Sequence, residues 1–180
     1  MTQKWHVENS RLVYDRSPWL KIWEQDVRLP NGATIEGYIL TKGQDVGMVF
    51  ALTRDDQVIL VEQYKHGIGG PEVDLPAGYL DDDDPSPLVG TQRELLEETG
   101  YAGGDWQPLG DFVINPNRSR DRFHYFLAQD VRHVSEPHPD PTEEIAVHLV
   151  PLAELRDWLT SRDHSLATMT GVLLGLSALT

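Results

Sequence analysis

The stretch RELLEETG, residues 93–100, places three glutamates within an otherwise helical pattern. In a helix Glu94, Glu97 and Glu98 stand at positions i, i+3 and i+4, so their carboxylates share one face. Like charges this close repel each other by roughly 3 kcal/mol at ~6 Å and an effective dielectric of ~20. Arg93 can neutralise Glu97, which leaves Glu94 and Glu98 without a counter-charge. Such oxygen clusters suit magnesium or manganese, although solvated helices also carry similar strings.

The helix that carries these glutamates is predicted over residues 86–99. Asp84 or Ser86 is a candidate N-terminal cap, and Gly100 is expected to end the helix in a left-handed conformation. At 100° per residue the apolar side chains gather on one side and the glutamates roughly on the other. That apolar side consists of Leu88, Val89, Leu95 and Leu96. We therefore expect the helix to dock by its leucines and to turn its carboxylates outward.

The surrounding stretch DLPAGYLDDDDPSPLVGTQRELLEETGY, residues 74–101, resembles the signature of the Nudix hydrolase superfamily. That signature is G-x5-E-x7-R-E-U-x-E-E-x-G-U, where U is a bulky apolar residue. The matching residues are Gly78, Arg93, Glu94, Leu95, Glu97, Glu98, Gly100 and Tyr101. One departure is a loop that is one residue longer, with Asp84 in the place of the family's glutamate. The resemblance implies an α+β fold, an α/β/α sandwich with a mixed central sheet and a strand–loop–helix catalytic motif.

The rest of the chain agrees with such a fold. A hairpin is predicted from residues 19–29 and 33–40, around a Pro-Asn-Gly turn. The remaining elements are expected to be strands at 46–52, 58–64, 72–75, 110–114, 122–129 and 145–150, and helices at 152–160 and 165–179. This order predicts a mixed sheet with helices on its faces. We predict N-terminal strands at 1–42, as a dimerisation extension, and a Nudix hydrolase domain at 43–180.

Composition excludes several classes of function. The 180 residues carry a formal net charge of −14, which opposes binding along a nucleic-acid backbone. Cysteine is absent, so disulfides, thiolate metal sites and thiol nucleophiles are excluded. No apolar run reaches the ~18 residues of a membrane span, and the apolar C-terminal segment is expected to be a docked helix. The N-terminus lacks the apolar core of a secretory signal, so a cytoplasmic location is expected.

The resemblance implies hydrolysis of a nucleoside diphosphate linked to another group, by attack of water on phosphorus. It implies that Mg²⁺ or Mn²⁺ is bound by Glu94 and Glu98, with Glu97 near and the backbone carbonyl of Ala77 completing the set. Arg93 is implied to hold Glu97 rather than to touch the substrate. These groups would neutralise phosphate charge and activate water.

The stretch VEQYKHGIGGPEVDLPAG, residues 61–78, resembles the branch of ADP-ribose and ADP-sugar pyrophosphatases. Lys65 stands where that branch commonly has arginine, and Pro116 stands where it tends to have a proline. The general base of that branch often lies on a late loop, which here implies Glu143 or Glu144, with Glu143 preferred. ADP-ribose, yielding AMP and a sugar phosphate, is the substrate this branch implies. The branch also implies a homodimer through the N-terminal strands.

Several residues have more than one interpretation. Arg118, Arg120 and Arg122 could contact a phosphate or a terminal sugar, or could pair with nearby acidic side chains. Trp19 could stack on a base, although it shares a strand face with Trp23 and dimer packing explains both equally well. Two alternatives to the leading function also stand. One is hydrolysis of another linked diphosphate, such as GDP-mannose, a dinucleoside polyphosphate or a damaged nucleotide; the other is an ADP-ribose-binding module without catalysis, which the intact glutamates oppose.

Overall fold

The computed structural model of the chain describes residues 3–160 and 164–179. Its strands are β1 (His6–Arg16), β2 (Leu20–Arg28), β3 (Thr34–Lys42), β4 (Val46–Thr53), β5 (Gln57–Lys65), β6 (Gly70–Asp74), β7 (Ala77–Tyr79), β8 (Tyr101–Ala102), β9 (Asp105–Val113), β10 (Arg122–His133) and β11 (Ile145–Pro151). Its helices are α1 (Pro87–Thr99), α2 (Leu155–Thr160) and α3 (Leu166–Ala178), and a 3₁₀ turn at Leu152–Glu154 precedes α2.

The chain divides into two compact units. One comprises the described residues up to Asp45 together with Phe112–Arg122, and the other comprises Val46–Asp111 and the described residues from Phe123 onward. The predicted division at 1–42 and 43–180 stays a prediction, and its residues 1–2, 161–163 and 180 lie outside the described part of the chain.

The first unit contains an antiparallel sheet in the order β1-β2-β3. The predicted hairpin is present, with Val27 opposite Ile35 and a turn in which the Gly32 N–H donates to the Leu29 carbonyl at 3.0 Å. Strand β1 was not predicted from the sequence. All of its residues are exposed, so it lacks the apolar alternation by which a half-buried strand is recognised.

The second unit contains an eight-stranded mixed sheet whose main path is β11-β5-β4-β10-β8. Strands β4 and β10 pair in parallel, whereas β11 and β5 pair antiparallel. The two central apolar runs are buried on both faces, which explains why they lack polar alternation. In β4, Met48 and Phe50 belong to one core cluster, whereas Val49 and Ala51 belong to the cluster on the opposite face.

Helices cover both faces of this sheet. Leu95 of α1 packs in the cluster with Val49 and Ala51, whereas Leu155 of α2 and Val172 of α3 pack in the cluster with Phe50. The predicted α+β fold, with helices on both sides of a mixed sheet, is therefore confirmed. Within the described residues, no helix combines the length and the apolar character that crossing a bilayer requires.

Helix α1 begins and ends where its sequence predicts, and it docks by part of the predicted apolar face, because Leu88 packs against the cluster that contains Leu95. The Ser86 hydroxyl accepts a hydrogen bond from the Val89 N–H at 3.3 Å, and Gly100 ends the helix with φ +74°. Leu95 is buried, but Val89 is 40% exposed and Leu96 is 36% exposed. The remaining buried residues of the helix are Gly90, Thr91, Glu98 and Thr99. The expectation that leucines dock and carboxylates point outward is therefore wrong for Glu98.

Candidate active site

Glu98 lies in the last turn of α1 and is only 2% exposed. Its Oε2 accepts a hydrogen bond of 3.0 Å from the backbone N–H of Ala77, the first residue of β7. Burial raises the pKa of Glu98 well above its usual value, the charge of Glu94 raises it further, and the Ala77 N–H opposes the rise. A cation beside Glu98 would favour the charged form of this carboxyl group and lower its pKa.

The residues of the Nudix signature, from Gly78 to Tyr101, are called the box below. Glu94 packs directly on Gly78, the first residue of the box. A Cβ at Gly78 would lie 2.2 Å from the carboxyl carbon of Glu94, so any larger residue there would displace this carboxyl group. Burial raises the pKa of Glu94 to about 7, although Arg93 acts in the opposite direction. Strand β7 and helix α1 therefore bring a buried carboxyl group, that of Glu98, and a half-buried one, that of Glu94, to the same glycine turn.

Arg93 is the hub of the ion pairs in this region. The acceptors of its guanidinium are Glu94 Oε1 at 2.7 Å, Glu97 Oε2 at 2.9 Å, Asp84 Oδ2 at 3.2 Å, the Tyr79 carbonyl at 3.2 Å and Asp81 Oδ2 at 3.4 Å. The predicted contact with Glu97 is present. The expectation that Glu94 lacks a counter-charge is wrong, because neighbouring side chains on a helix can share a forked guanidinium. Glu98 is not among the acceptors of Arg93.

Asp84 takes the supporting position that the family gives to a glutamate. Its Oδ2 accepts from the Asp81 N–H at 2.8 Å as well as from Arg93. The hydrogen bond from Arg93 lowers the pKa of Asp84, which keeps it charged. The loop is one residue longer than in the family, and Asp84, whose side chain is one methylene shorter than glutamate, still reaches Arg93. Asp81 was missed from the sequence, and its only signal was its place in the DDDD run before the cap.

The charges of two further predicted residues shift the pKa values of Glu94 and Glu98. Glu143 lies in the exposed loop before β11, and its negative charge raises the pKa of both Glu94 and Glu98. Lys65, the last residue of β5, lowers the pKa of Glu98. The structure therefore brings Glu143 and Lys65 within electrostatic reach of the box. Glu144 is also exposed in that loop, and its alternative assignment as the base stays a prediction.

The other predicted substrate residues belong to the first unit. Trp19 is 65% exposed. The backbones of Arg118 and Arg120 bracket Thr41: the Arg118 carbonyl accepts from the Thr41 N–H at 2.6 Å, and the Arg120 N–H donates to the Thr41 carbonyl at 3.2 Å. Their side chains are exposed, while Arg122 is half-buried. The roles proposed for these four residues stay predictions.

The donor set of the box fits a hard divalent cation by its chemistry. Two carboxyl groups that repel each other, with carboxylate oxygens of Glu97 and Glu143 nearby, suit Mg²⁺ or Mn²⁺. Among the residues that the structure describes, however, no group of three or more His, Asp or Glu side chains is already arranged as a metal site. The metal ligands assigned from the sequence, including the Ala77 carbonyl, therefore stay predictions.

Comparison with known proteins identifies the family of the chain. The model of the NUDIX domain matches residues 41–169. The chain belongs to the NUDIX domain family. The resemblance inferred from the box is thus confirmed, and with it the assignment to the Nudix hydrolases.

Several known proteins are similar to this chain in sequence. The methanol dehydrogenase activator of Bacillus methanolicus is 33% identical over 110 residues, which cover 61% of this chain and 58% of the activator. The ADP-ribose pyrophosphatase of Bacillus subtilis (strain 168) is 29% identical over 145 residues, which cover 80% of this chain and 77% of that enzyme. This Nudix chain thus aligns with only 58% of the length of the activator.

A solved structure supports the fold. The crystal structure of an ADP compounds hydrolase matches with a TM-score of 0.84 and 23% sequence identity, and covers 99% of this chain and 96% of that chain. At this identity the likeness concerns the fold. It extends over the N-terminal strands as well as the Nudix box.

Proposed function

We propose that this Nudix protein hydrolyses the pyrophosphate bond of a nucleoside diphosphate sugar, with ADP-ribose as the first substrate, and releases AMP and a sugar phosphate. The observation that carries this proposal is the pair of carboxyl groups at the Gly78 turn, of which Glu98 is buried and Glu94 half-buried. Only Glu94 of this pair has Arg93 as a partner. The similarity to an ADP-ribose pyrophosphatase supports the choice of substrate.

In this proposal a divalent cation, Mg²⁺ or Mn²⁺, is held by Glu94 and Glu98, with Glu97 and the Ala77 carbonyl as further oxygen donors. When bound, the cation supplies Lewis acidity and charge neutralisation to the phosphate oxygens. Arg93 holds Glu94 and Glu97 in place through its two short hydrogen bonds. The Ala77 N–H orients Glu98 in the same way.

Glu143 is the proposed general base. Its carboxylate takes one proton from the attacking water, whose oxygen bonds to phosphorus while the bond from phosphorus to the bridging oxygen breaks. The bridging oxygen leaves on the other phosphate. Lys65, whose charge bears on Glu98, offsets the negative charge of the diphosphate in this proposal. Glu144 is the alternative base on the same loop.

The first unit is proposed to bind the remainder of the substrate and a second copy of the chain. Arg118, Arg120 and Arg122 are cations in a strongly acidic chain, and are assigned to phosphate or terminal sugar. Trp19 is assigned to stacking on the base. Exposed apolar side chains on β1, including Leu12 at 47% and Tyr14 at 47%, suit burial in a homodimer. We also propose a cytoplasmic location for this protein.

The test is a side-by-side assay of ADP-ribose, other ADP-sugars, GDP-mannose and dinucleoside polyphosphates with Mg²⁺ present and absent. The expected result is metal-dependent release of AMP from ADP-ribose at the highest kcat/KM of the panel. The exposed Glu154→Gln variant is the matched control for Glu98→Gln. Hydrolysis of no compound in the panel, or full turnover by Glu98→Gln, would overturn the proposal.

A further inference from the structure

The loop that carries Glu143 contains an unusual proline pattern. In EPHPDP, residues 136–141, every second residue is proline; we call this segment the proline strap. Proline fixes its own φ and confines the residue before it to extended conformations. The structure agrees: residues 136–140 have no helix or strand, and Pro137 and Pro139 are half-buried while the residues around them are exposed. The strap is therefore a stiff, extended segment.

One end of this loop is docked on the C-terminus of α1. The N–H groups of Val134 and Ser135 donate to the Gly100 carbonyl at 2.9 and 3.3 Å, and the His138 N–H donates to the Glu97 carbonyl at 2.8 Å. Carbonyls in the last turn of a helix lack intrahelical donors, so they accept such bonds readily. His138 stands between two prolines, which have no N–H. Of residues 137–139, only His138 therefore has a backbone N–H that can donate a hydrogen bond.

The other end of the strap leads directly to Glu143. The Glu143 N–H donates to the Asp140 carbonyl at 2.8 Å, which closes a turn. Two residues later Ile145 opens β11, paired with Gln63 of β5. The proposed base thus lies between a strand of the central sheet and a stiff segment anchored to the box helix.

We propose that the backbone N–H of His138 is a positioning group, which acts through the proline strap to set the carboxylate of Glu143 beside Glu94 and Glu98. This inference rests on the proposed function, in which Glu143 accepts the proton. Its physical basis is preorganisation: a stiff segment with one anchor holds its end in place, whereas a flexible loop must be ordered at each turnover. Displacing a catalytic group by about 1 Å can cost about 10²-fold in rate.

The test compares two substitutions at one exposed residue. His138→Pro removes the N–H and places its ring Cδ against the Glu97 carbonyl, so the strap cannot dock there, whereas His138→Ala removes the imidazole and preserves the N–H. We expect His138→Pro to lower kcat by about tenfold with KM changed less than twofold, and His138→Ala to match the wild type. An unchanged kcat in His138→Pro, or an equal loss in both variants, would overturn the proposal.

A double-mutant cycle separates positioning from general structural damage. In the Glu143→Gln background, His138→Pro should lower the residual kcat by less than twofold, because the group that it positions has been removed. A tenfold loss in that background would mean that the anchor acts elsewhere. Mg²⁺ affinity measured by calorimetry should also stay within twofold in His138→Pro, and a larger change would assign the effect to Glu97 and overturn the inference.

A readout without activity keeps this inference separate from the proposed function. Amide hydrogen exchange of the wild type should show the His138 N–H at least tenfold slower than an unstructured peptide, since it is bonded to the Glu97 carbonyl. Rapid exchange would remove the anchor whatever the substrate is. Slow exchange in a protein that cleaves none of the diphosphates would instead overturn the proposed function and leave the anchor standing.

Discussion

The two sides of helix α1 hold their acidic groups in opposite ways. On the arginine side, four carboxylates share the single guanidinium of Arg93, so each has a cationic partner within the chain: Asp81, Asp84, Glu94 and Glu97. On the buried side, Glu98 receives one backbone N–H and the repulsion of Glu94. The difference indicates which carboxylate most needs a cation from outside the protein. It also predicts that removing charge stabilises one side and destabilises the other.

The largest expected effect is that of Glu98→Gln on activity. If Glu98 holds the metal as proposed, its loss should lower kcat by about 10³-fold, since a metal ion supplies several kcal/mol of transition-state stabilisation. The metal-free variant should nevertheless melt at a higher temperature than the wild type, because a buried carboxyl group is replaced by a neutral amide. Steady-state kinetics and calorimetric melting measure the two effects, with Glu154→Gln as the control. A lower melting temperature would contradict the contrast between the two sides.

Substitution of Arg93 should lower both kcat and the free energy of unfolding. Arg93→Met leaves four carboxylates without their shared partner, so we expect kcat to fall about 10²-fold and stability to fall by about 2 kcal/mol. Arg93→Lys restores the charge but not the fork, and should recover less than half of the lost stability. Urea unfolding provides the measurement. Equal stability of wild type and Arg93→Met would show that these ion pairs contribute nothing.

Asp84→Asn tests the substituted position of the box. The amide can still accept one hydrogen bond from Arg93 but carries no charge, so we expect a loss of about 1 kcal/mol in stability and less than tenfold in kcat. Because Arg93 lowers the pKa of Asp84, the wild type should lose this contribution as pH falls toward the pKa of the folded state. Urea unfolding from pH 7 to pH 3 should show the two proteins converging. A constant difference between them at all pH values would contradict this account.

The response of the metal-free protein to pH tests the same carboxyl groups without changing the sequence. The pKa of Glu94 is raised to about 7, so the folded state binds more protons than the unfolded chain between roughly pH 4.5 and 7. The contribution of this group to stability is therefore present at low pH and is lost as pH rises through that window. Thermal melting at pH 5 to 8 should show the decline, and Glu94→Gln should make it shallower, because burial of Glu98 raises a second pKa that remains in the variant. A decline of equal slope in the variant would assign it to the net charge instead.

Thermal melting with added Mg²⁺ tests whether the same carboxylates bind a cation. Protons compete with the cation for the carboxylates, so 10 mM Mg²⁺ should raise the melting temperature more at pH 8 than at pH 5.5. For a dissociation constant near 1 mM the expected gain at pH 8 is about 1.4 kcal/mol, or about 3–5 °C. Glu98→Gln should lose this gain. A pH-independent rise that survives in Glu98→Gln would indicate a nonspecific salt effect.

Much of the local structure of the site could be predicted from the sequence. Ser86 and Gly100 marked the ends of α1 because capping depends on neighbouring residues alone. The apolar runs of β4 and β5 identified the central strands for a similar reason, since burial on both faces leaves no polar alternation. The contact between Arg93 and Glu97 followed from helical spacing. The spacing of the box residues identified the family.

Only the tertiary structure decided which carboxyl groups are buried and which lie close together. Helical periodicity placed the glutamates opposite the leucines, yet Glu98 is buried because the Ala77 N–H, 21 residues away in sequence, gives it a partner. The approach of Glu143 to the box likewise depends on a loop that docks on the Glu97 carbonyl. Hydrophobic patterns report the average preference of a side chain for water. The burial of a charged group is set by particular partners, which only the folded chain brings together.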